Sequence, residues 1–224
     1  MFDVMWQSPA SFTLADRGGS LLARLEPHDD PARPATEAFI TTRFALEHGA
    51  RIAHFLPHLL TLSAGDQTLQ AAVGLRLAQQ QPLFLETYLD QPVEQCLAAA
   101  LGQPIARGEV VEVGNLAALS AGQARLLIVV TTWLLARNGL RWVTFTGATR
   151  LINSFHRLGL APQILAAADP ARLGAERERW GSYYANAPQV CAGDIQQGYR
   201  QLLHAGIFAR LGLSTLTTED CHVA

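Results

Sequence analysis

The sequence predicts an α/β (α+β) fold, a central mixed β-sheet of about six to seven strands with helices on both faces. Three observations predict it. The stretch Glu109 to Pro162 reads strand, loop, helix, strand, helix, an order that implies a parallel strand pair joined by a right-handed crossover. Upstream, Leu59 to Ser63 and Thr68 to Ala78 flank the turn Ala64-Gly65-Asp66 and read as an antiparallel hairpin. The composition, 49% hydrophobic and 16% charged over 224 residues, suits a sizeable core in a single domain, 1–224. Unit 109–162 is its centre, and a helical extension occupies about 169–224.

In chain order, Ser20 to Glu26 is a first strand. Pro27 to Pro34 holds three prolines and two aspartates and is a loop. Thr36 to His48 has apolar residues at helical spacing, Thr36 as N-cap, Glu37 in the first turn and Gly49 as the stop. Leu83 to Tyr88 is strand-like or irregular. Asp90 caps a helix from about Gln91 to Leu101, with Pro92 early, where proline is tolerated. The strand Glu109 to Leu116 is interrupted by Gly114, which signals a bulge or a close approach by another backbone. A helix follows from about Gln123 to Arg137 and ends at Asn138-Gly139. Arg141 to Gly147 alternates Trp142, Thr144 and Thr146 against Val143 and Phe145, a strand by period. Thr149 to Arg157 is a short helix, and Gln163 to Ala168 is a further strand. Asp169-Pro170 opens a helix rich in Arg and Glu. Gly181 to Gly193 is irregular, Ile195 to Leu211 is one packed helix, and the last ten residues are a tail.

Composition excludes several chemistries. All 17 basic residues are arginine, so Schiff-base lysines and P-loop lysines are ruled out. The net charge of −2 provides no global field to draw in nucleic acid or an anionic membrane. Cys96, Cys191 and Cys221 are far apart, with no CxxC pair, which points to a reduced, cytoplasmic setting. Met1 to Gly19 lacks the pattern of a signal peptide. The longest strongly apolar run, Leu126 to Ala136, falls short of the ~20 residues a spanning helix needs, so no transmembrane segment is expected. His54 and His58 are four apart, but Pro57 between them spoils a shared helix face, and no metal is expected. Gly-x-Ser-x-Gly and Gly-x-Gly-x-x-Gly are both absent.

The phrases RFALEHGA, GLRLA, LFLETYLDQPVE, EVGNLA and WGSYY, spread over about residues 37–190, resemble the thermostable hemolysin family. The 109–162 unit resembles the core of the GNAT-type acyltransferases, in the branch of the acyl-homoserine-lactone and N-acyl amino acid synthases. That resemblance implies a GNAT-like fold and an acyl thioester, on coenzyme A or an acyl carrier protein, lying where the central parallel strands splay. A bulge at Gly114 then frees a backbone N–H, near Leu116, to polarise the thioester carbonyl. The helix opening at Ser120, Gly122 and Gln123 offers N–H groups to a phosphate, with Asn153 nearby. Only Gly122 of the usual acetyltransferase glycine pattern is present, so a carrier protein with its single phosphate is as good a donor as coenzyme A. The family's tyrosine acid is matched by Phe155, which holds no proton to give, leaving Tyr183, Tyr184 or solvent.

The first candidate for a base to an incoming amine is Glu112, with Glu86 second. Arg76 is placed to hold a carboxylate on the acceptor, a small-molecule amine such as an amino acid or its derivative. Asn115 is a substrate-binding candidate; Phe84 and Trp142, with Leu83 and Leu85, would line an acyl tunnel. Structural alternatives stand beside these: a Glu112–Arg76 bridge, a Glu86–arginine pair or cap, Asn115 satisfying the bulge, Asn153 bonding local backbone. Two other functions stay open, a membrane-active cytolysin and a non-catalytic GNAT-like binding module. S-adenosylmethionine is also open as acceptor, and an uncovered sheet edge allows a homodimer.

Overall fold

The structure is a computed structural model that describes residues 6, 11–16 and 19–214. Eight strands form a single sheet in the order β1-β2-β3-β4-β5-β6-β8-β7. They are β1 (Ser11–Asp16), β2 (Gly19–Glu26), β3 (His58–Ala64), β4 (Leu69–Leu77), β5 (Val110–Ala118), β6 (Trp142–Gly147), β7 (Gln163–Ala167) and β8 (Gln189–Asp194). Every neighbouring pair is antiparallel except β5 and β6, the parallel pair expected from the central unit. The helices are α1 (Arg33–His48), α2 (Val93–Leu101), α3 (Ala121–Arg137), α4 (Thr149–His156), α5 (Ile195–His204) and α6 (Ile207–Arg210).

Period-two alternation sorts the strand side chains between two faces. Leu60, Leu62, Val73, Leu75 and Val111 pack with Leu127, Val130 and Leu134 of α3 and with Leu202 and Phe208 of α5 and α6. On the other face Leu59, Ala72 and Ala117 meet Ile40 of α1, while Val110, Trp142 and Val190 meet Val93 and Leu97 of α2. α3 is buried along most of its length, from Leu127 to Ala136, which is why its sequence carries little polar patterning. Ser120 caps its N-terminus by accepting from the Gln123 N–H at 3.2 Å.

Several expectations are corrected. β1 precedes the strand taken as first, and β8 forms within a stretch read as irregular, inserting between β6 and β7. Among the described residues the sheet therefore has eight strands rather than six to seven. α1 begins at Arg33, because Pro34 in the first turn lacks only an N–H that would be unpaired there. Thr36 is thus buried inside the helix, and Glu37 pairs with Arg33 at 2.7 Å. Residues 83–88 form a 3₁₀ turn, Phe84–Tyr88. α2 starts after Pro92, and Asp90 pairs instead with Arg172. The Arg- and Glu-rich stretch Pro170–Trp180 is 3₁₀ in character and kinks at Gly174 (φ 56°). The last packed helix breaks in two at Gly206 (φ 67°). The ten-residue tail and Cys221 lie outside the described residues.

Candidate active site

The β5–β6 register runs from Val110↔Trp142 to Val113↔Phe145 and stops there, although β5 continues to Ala118 and β6 to Gly147. The two parallel strands part at Gly114. On the other side of β5, Ala72 faces Ala117 and Gly74 faces Gly114, so two steps along β4 match three along β5. One extra residue on β5 is a β-bulge. It is completed by Asn115 at φ 52°, a left-handed conformation that Asn tolerates better than other side chains. Asn115 Oδ1 accepts from the Leu56 N–H at 3.1 Å and its Nδ2 donates to the His54 carbonyl at 3.3 Å. The loop thus tied down lays Leu56 against Gly74 and Gly114, where an added Cβ would meet the leucine at 2.8 and 2.9 Å. Both glycines are needed for that close approach.

A cavity of about 1250 Å³ opens at the parting of the strands. Val113 and Leu116 of β5 and Val143 and Phe145 of β6 line it, with Phe155 of α4 stacked on Phe145 at 4.7 Å. Glu112 reaches it from β5 although only 4% exposed. Its two carboxylate oxygens accept from the backbone N–H groups of Phe84 and Leu85, each at 2.9 Å. Those two bonds pin the 83–88 turn to the sheet. Arg76, one strand over and directly paired in register, lies 3.7 Å from the same carboxylate and donates to the Pro82 carbonyl at 3.1 Å. Burial raises the Glu112 pKa above the ordinary carboxylate value, and the two N–H groups and Arg76 only partly offset it.

Opposite the strands the wall is aromatic. Phe84 and Tyr88 of the 83–88 turn, Phe44 and His48 of α1, and Trp180, Tyr183 and Tyr184 form one continuous set of ring contacts, with centroids 5.2 to 6.5 Å apart. The Tyr183 hydroxyl donates to the Thr146 carbonyl at 3.3 Å, and the hydroxyls of Tyr88 and Tyr184 share a hydrogen bond. Burial raises the Tyr88 pKa to about 12 and those of Tyr183 and Tyr184 as well, so all three keep their protons. The segment that carries Trp180 is clipped to the end of α1: Arg51 N–H donates to Arg179 O at 2.6 Å and Ser182 N–H to His48 O at 2.8 Å. Between them Gly181 (φ 52°) would place a Cβ 2.1 Å from His48 O, so only glycine fits. Among the described residues seven arginines line the cavity against four acidic residues, in a chain whose net charge is −2.

The structure brings together Glu112, Arg76, Phe84, Gly114, Asn115, Leu116, Ser120 and Asn153 on this one cavity. It places the other candidates elsewhere. Glu86 lies outside, held by Arg107 at 2.6 and 2.9 Å and by the N–H groups of Leu83 and Val93. Its burial opposes ionisation, but Arg107 and these donors outweigh it and take the pKa to about 2, which suits the cap and ion-pair reading of Glu86. Trp142, with Leu83 and Leu85, is packed in the core beside α2, because the cavity takes the opposite face of β6. Gly122 and Gln123 turn away; Gln123 instead borders a smaller depression with Gly19 and Ala64. Ala121, Ala124 and Arg125 occupy the cavity end of α3 in their place. Both amide groups of Asn115 are spent on the 54–56 backbone, which favours its structural reading.

Phe44, His48 and Trp180 were not singled out from the sequence. The signal was present in the phrases RFALEHGA and WGSYY, whose aromatic residues meet across the cavity.

No curated protein matches the chain in sequence. Solved structures share its fold. FeeM, an N-acyl amino acid synthase from uncultured soil microbes, aligns with a TM-score of 0.54 at 16% identity, over 84% of this chain and 99% of FeeM. The CoA-dependent acyl-homoserine lactone synthase MesI gives 0.53 at 16%, over 87% and 97%. The AHL synthase LasI gives 0.55 at 8%, over 78% and 90%. The chain therefore shares the fold of these synthases. Among the described residues, no helix is long and apolar enough to cross a membrane. Residues 26–199, most of the chain and all of the cavity's strands, match the thermostable hemolysin family, and the chain belongs to it.

Proposed function

We propose that this protein is an N-acyltransferase that moves an acyl group from a thioester, on coenzyme A or an acyl carrier protein, to the amine of a small molecule. The observation that carries the reading is a buried carboxylate, Glu112, with a raised pKa, facing a cavity that opens where the two parallel strands part. The likeness in fold to synthases that use acyl donors supports it. In the reaction the amine nitrogen attacks the thioester carbonyl, the C–N bond forms, the C–S bond breaks and the thiolate leaves. Glu112 accepts the proton the amine loses, directly or through water; its raised pKa brings it nearer the operating pH, where a base is most effective. Backbone N–H groups at the Gly114–Leu116 bulge lie where the carbonyl oxygen gathers charge. Phe155, in place of the usual tyrosine, has no proton to give, and the single O–H of Tyr183 is spent on the Thr146 carbonyl, so the leaving thiolate takes its proton from solvent. The donor's phosphate end faces the start of α3 and α4, where Ser120, Arg125, Asn153 and Arg157 line the cavity.

The test is release of free thiol from acyl thioesters of several chain lengths, on coenzyme A and on a carrier protein, with and without amines. Thiol release that depends on the amine and falls in Glu112→Gln supports the reading. Dye leakage from liposomes with no thioester turnover favours the cytolysin reading; ligand binding without turnover favours a binding module.

A further inference from the structure

The geometry points to the aromatic-walled side of the cavity as the acceptor site, and to an α-amino acid with an aromatic side chain as the acceptor. This rests on the acyltransferase reading above and names its second substrate. The head group is argued first. Glu112 and Arg76 present a carboxylate and a guanidinium 3.7 Å apart on one wall. An α-amino acid carries its amine and carboxylate on one carbon, so it can lie across that pair with each group facing its opposite charge. The Arg76 Nε is buried and has no hydrogen-bond partner. A carboxylate would supply one, and a buried donor left unpaired is unfavourable. The same pose puts the ammonium beside the carboxylate, which takes one proton to free the amine for attack; the second, lost as the C–N bond forms, passes to water.

The side chain follows from the head. Phe84 donates its N–H to Glu112, and its ring stands 5.7 Å from that of Trp180 and 5.9 Å from that of Tyr88. Trp180 in turn stands 6.4 Å from Phe44 and 5.3 Å from Tyr183. A group that leaves the Glu112–Arg76 pair along this wall meets ring faces and edges at the spacings aromatic pairs prefer. Rings alone would also suit a cation such as a sulfonium or quaternary ammonium. The charge around them favours it less: Arg43, Arg51 and Arg179 outnumber Glu47 and Glu176 on this side, Glu47 is paired with Arg150 at 3.0 Å, and the Arg43 Nε is buried without a partner. Like charges in a part-buried cavity repel. A zwitterion with a neutral ring fits both features, and S-adenosylmethionine fits only the first.

The test separates this inference from the reading beneath it. Thiol release from one good acyl donor is measured with glycine, phenylalanine, tryptophan, arginine and S-adenosylmethionine. Calorimetry measures binding of phenylalanine and glycine to the protein saturated with free coenzyme A or phosphopantetheine. The expected result is kcat/KM for the aromatic amino acids about tenfold or more above glycine and S-adenosylmethionine, with calorimetric binding ranked the same way. Trp180→Ala then raises the KM for phenylalanine about tenfold, and Trp180→Phe restores most of it. Arg76→Gln raises the acceptor KM for all amino acids but not for a decarboxylated aromatic amine. Equal use of glycine and phenylalanine overturns the inference, as does preference for S-adenosylmethionine. A Trp180→Ala effect on the donor KM alone also overturns it, by giving the ring wall to the acyl chain. If no amine releases thiol, the acyltransferase reading fails, and calorimetry still decides whether an aromatic amino acid binds and whether Trp180 holds it.

Discussion

Glu112 and Glu86 grip the same short turn from opposite sides. Glu112 takes the N–H groups of Phe84 and Leu85 from inside the cavity; Glu86 takes those of Leu83 and Val93 from outside. Their pKa values move in opposite directions. Glu86 has Arg107 at 2.6 Å and falls to about 2, whereas Glu112 is nearly enclosed, has Arg76 only at 3.7 Å, and rises. Two identical side chains with two backbone donors each are thus given different tasks by burial and by the distance of the nearest arginine. The first suits the base of the proposed reaction, and the second suits a charged structural partner.

The largest test of that contrast removes each carboxylate. Glu112→Gln is expected to slow thiol release about 100-fold or more. Its amide must also set an NH₂ group against a backbone donor, so the melting temperature falls by the equivalent of about 1–3 kcal/mol. Rescue of turnover by a small external base would separate the chemical loss from the structural one. Glu86→Gln is expected to leave turnover within about twofold and to lower stability at pH 7 by about 1–2 kcal/mol, an amount discounted because the Arg107 pair is partly exposed. The sign follows from the depressed pKa. The Glu86 contribution is present above its ordinary value of 4.5 and is lost as pH falls through about 2, so wild type and variant should converge there in denaturant melts. Equal effects of both substitutions on turnover would erase the distinction.

Two further substitutions test the walls. Gly181→Ala, facing a 2.1 Å clash with His48 O at positive φ, is expected to cost about 2 kcal/mol or more and to loosen the 179–184 segment, read by hydrogen exchange at Ser182. Trp142→Phe tests the smallest effect. Trp142 packs beside α2 and not on the cavity, so a loss of about 1 kcal/mol of stability with unchanged chain-length preference is expected. A shifted preference would return Trp142 to the acyl site.

The contrast between the two glutamates also marks what the sequence could and could not show. The central βαβα unit, the antiparallel hairpin and the stops at Gly49 and Gly139 were legible because period and left-handed glycines are local signals. The bulge was legible from Gly114, although the residue at positive φ is its neighbour Asn115. β8, with the sequence Gln-Val-Cys-Ala-Gly-Asp, was not; little in it favours a strand except the partners on either side, β6 and β7. The 83–88 turn was not legible either, since its N–H groups are met by a carboxylate 27 and 28 residues away. The place of Glu112 on the cavity was legible because it sits on the central strand. That Glu86 and Trp142 lie off the cavity was not legible, because alternation tells which residues share a face, not which face meets the cavity. The ring wall joins α1 to the 180–184 segment, more than a hundred residues apart, and no local pattern links them.

The central claim is that Glu112 acts as the base in this cavity, and the pH dependence of thiol release tests it most directly. In the wild type, kcat/KM should fall on the acid side with an apparent pKa above the ordinary carboxylate value, because the base must be ionised and burial opposes that. Glu112→Gln should keep its residual rate but lose that limb. An unchanged acid limb in the variant would contradict the account and assign the proton to another group.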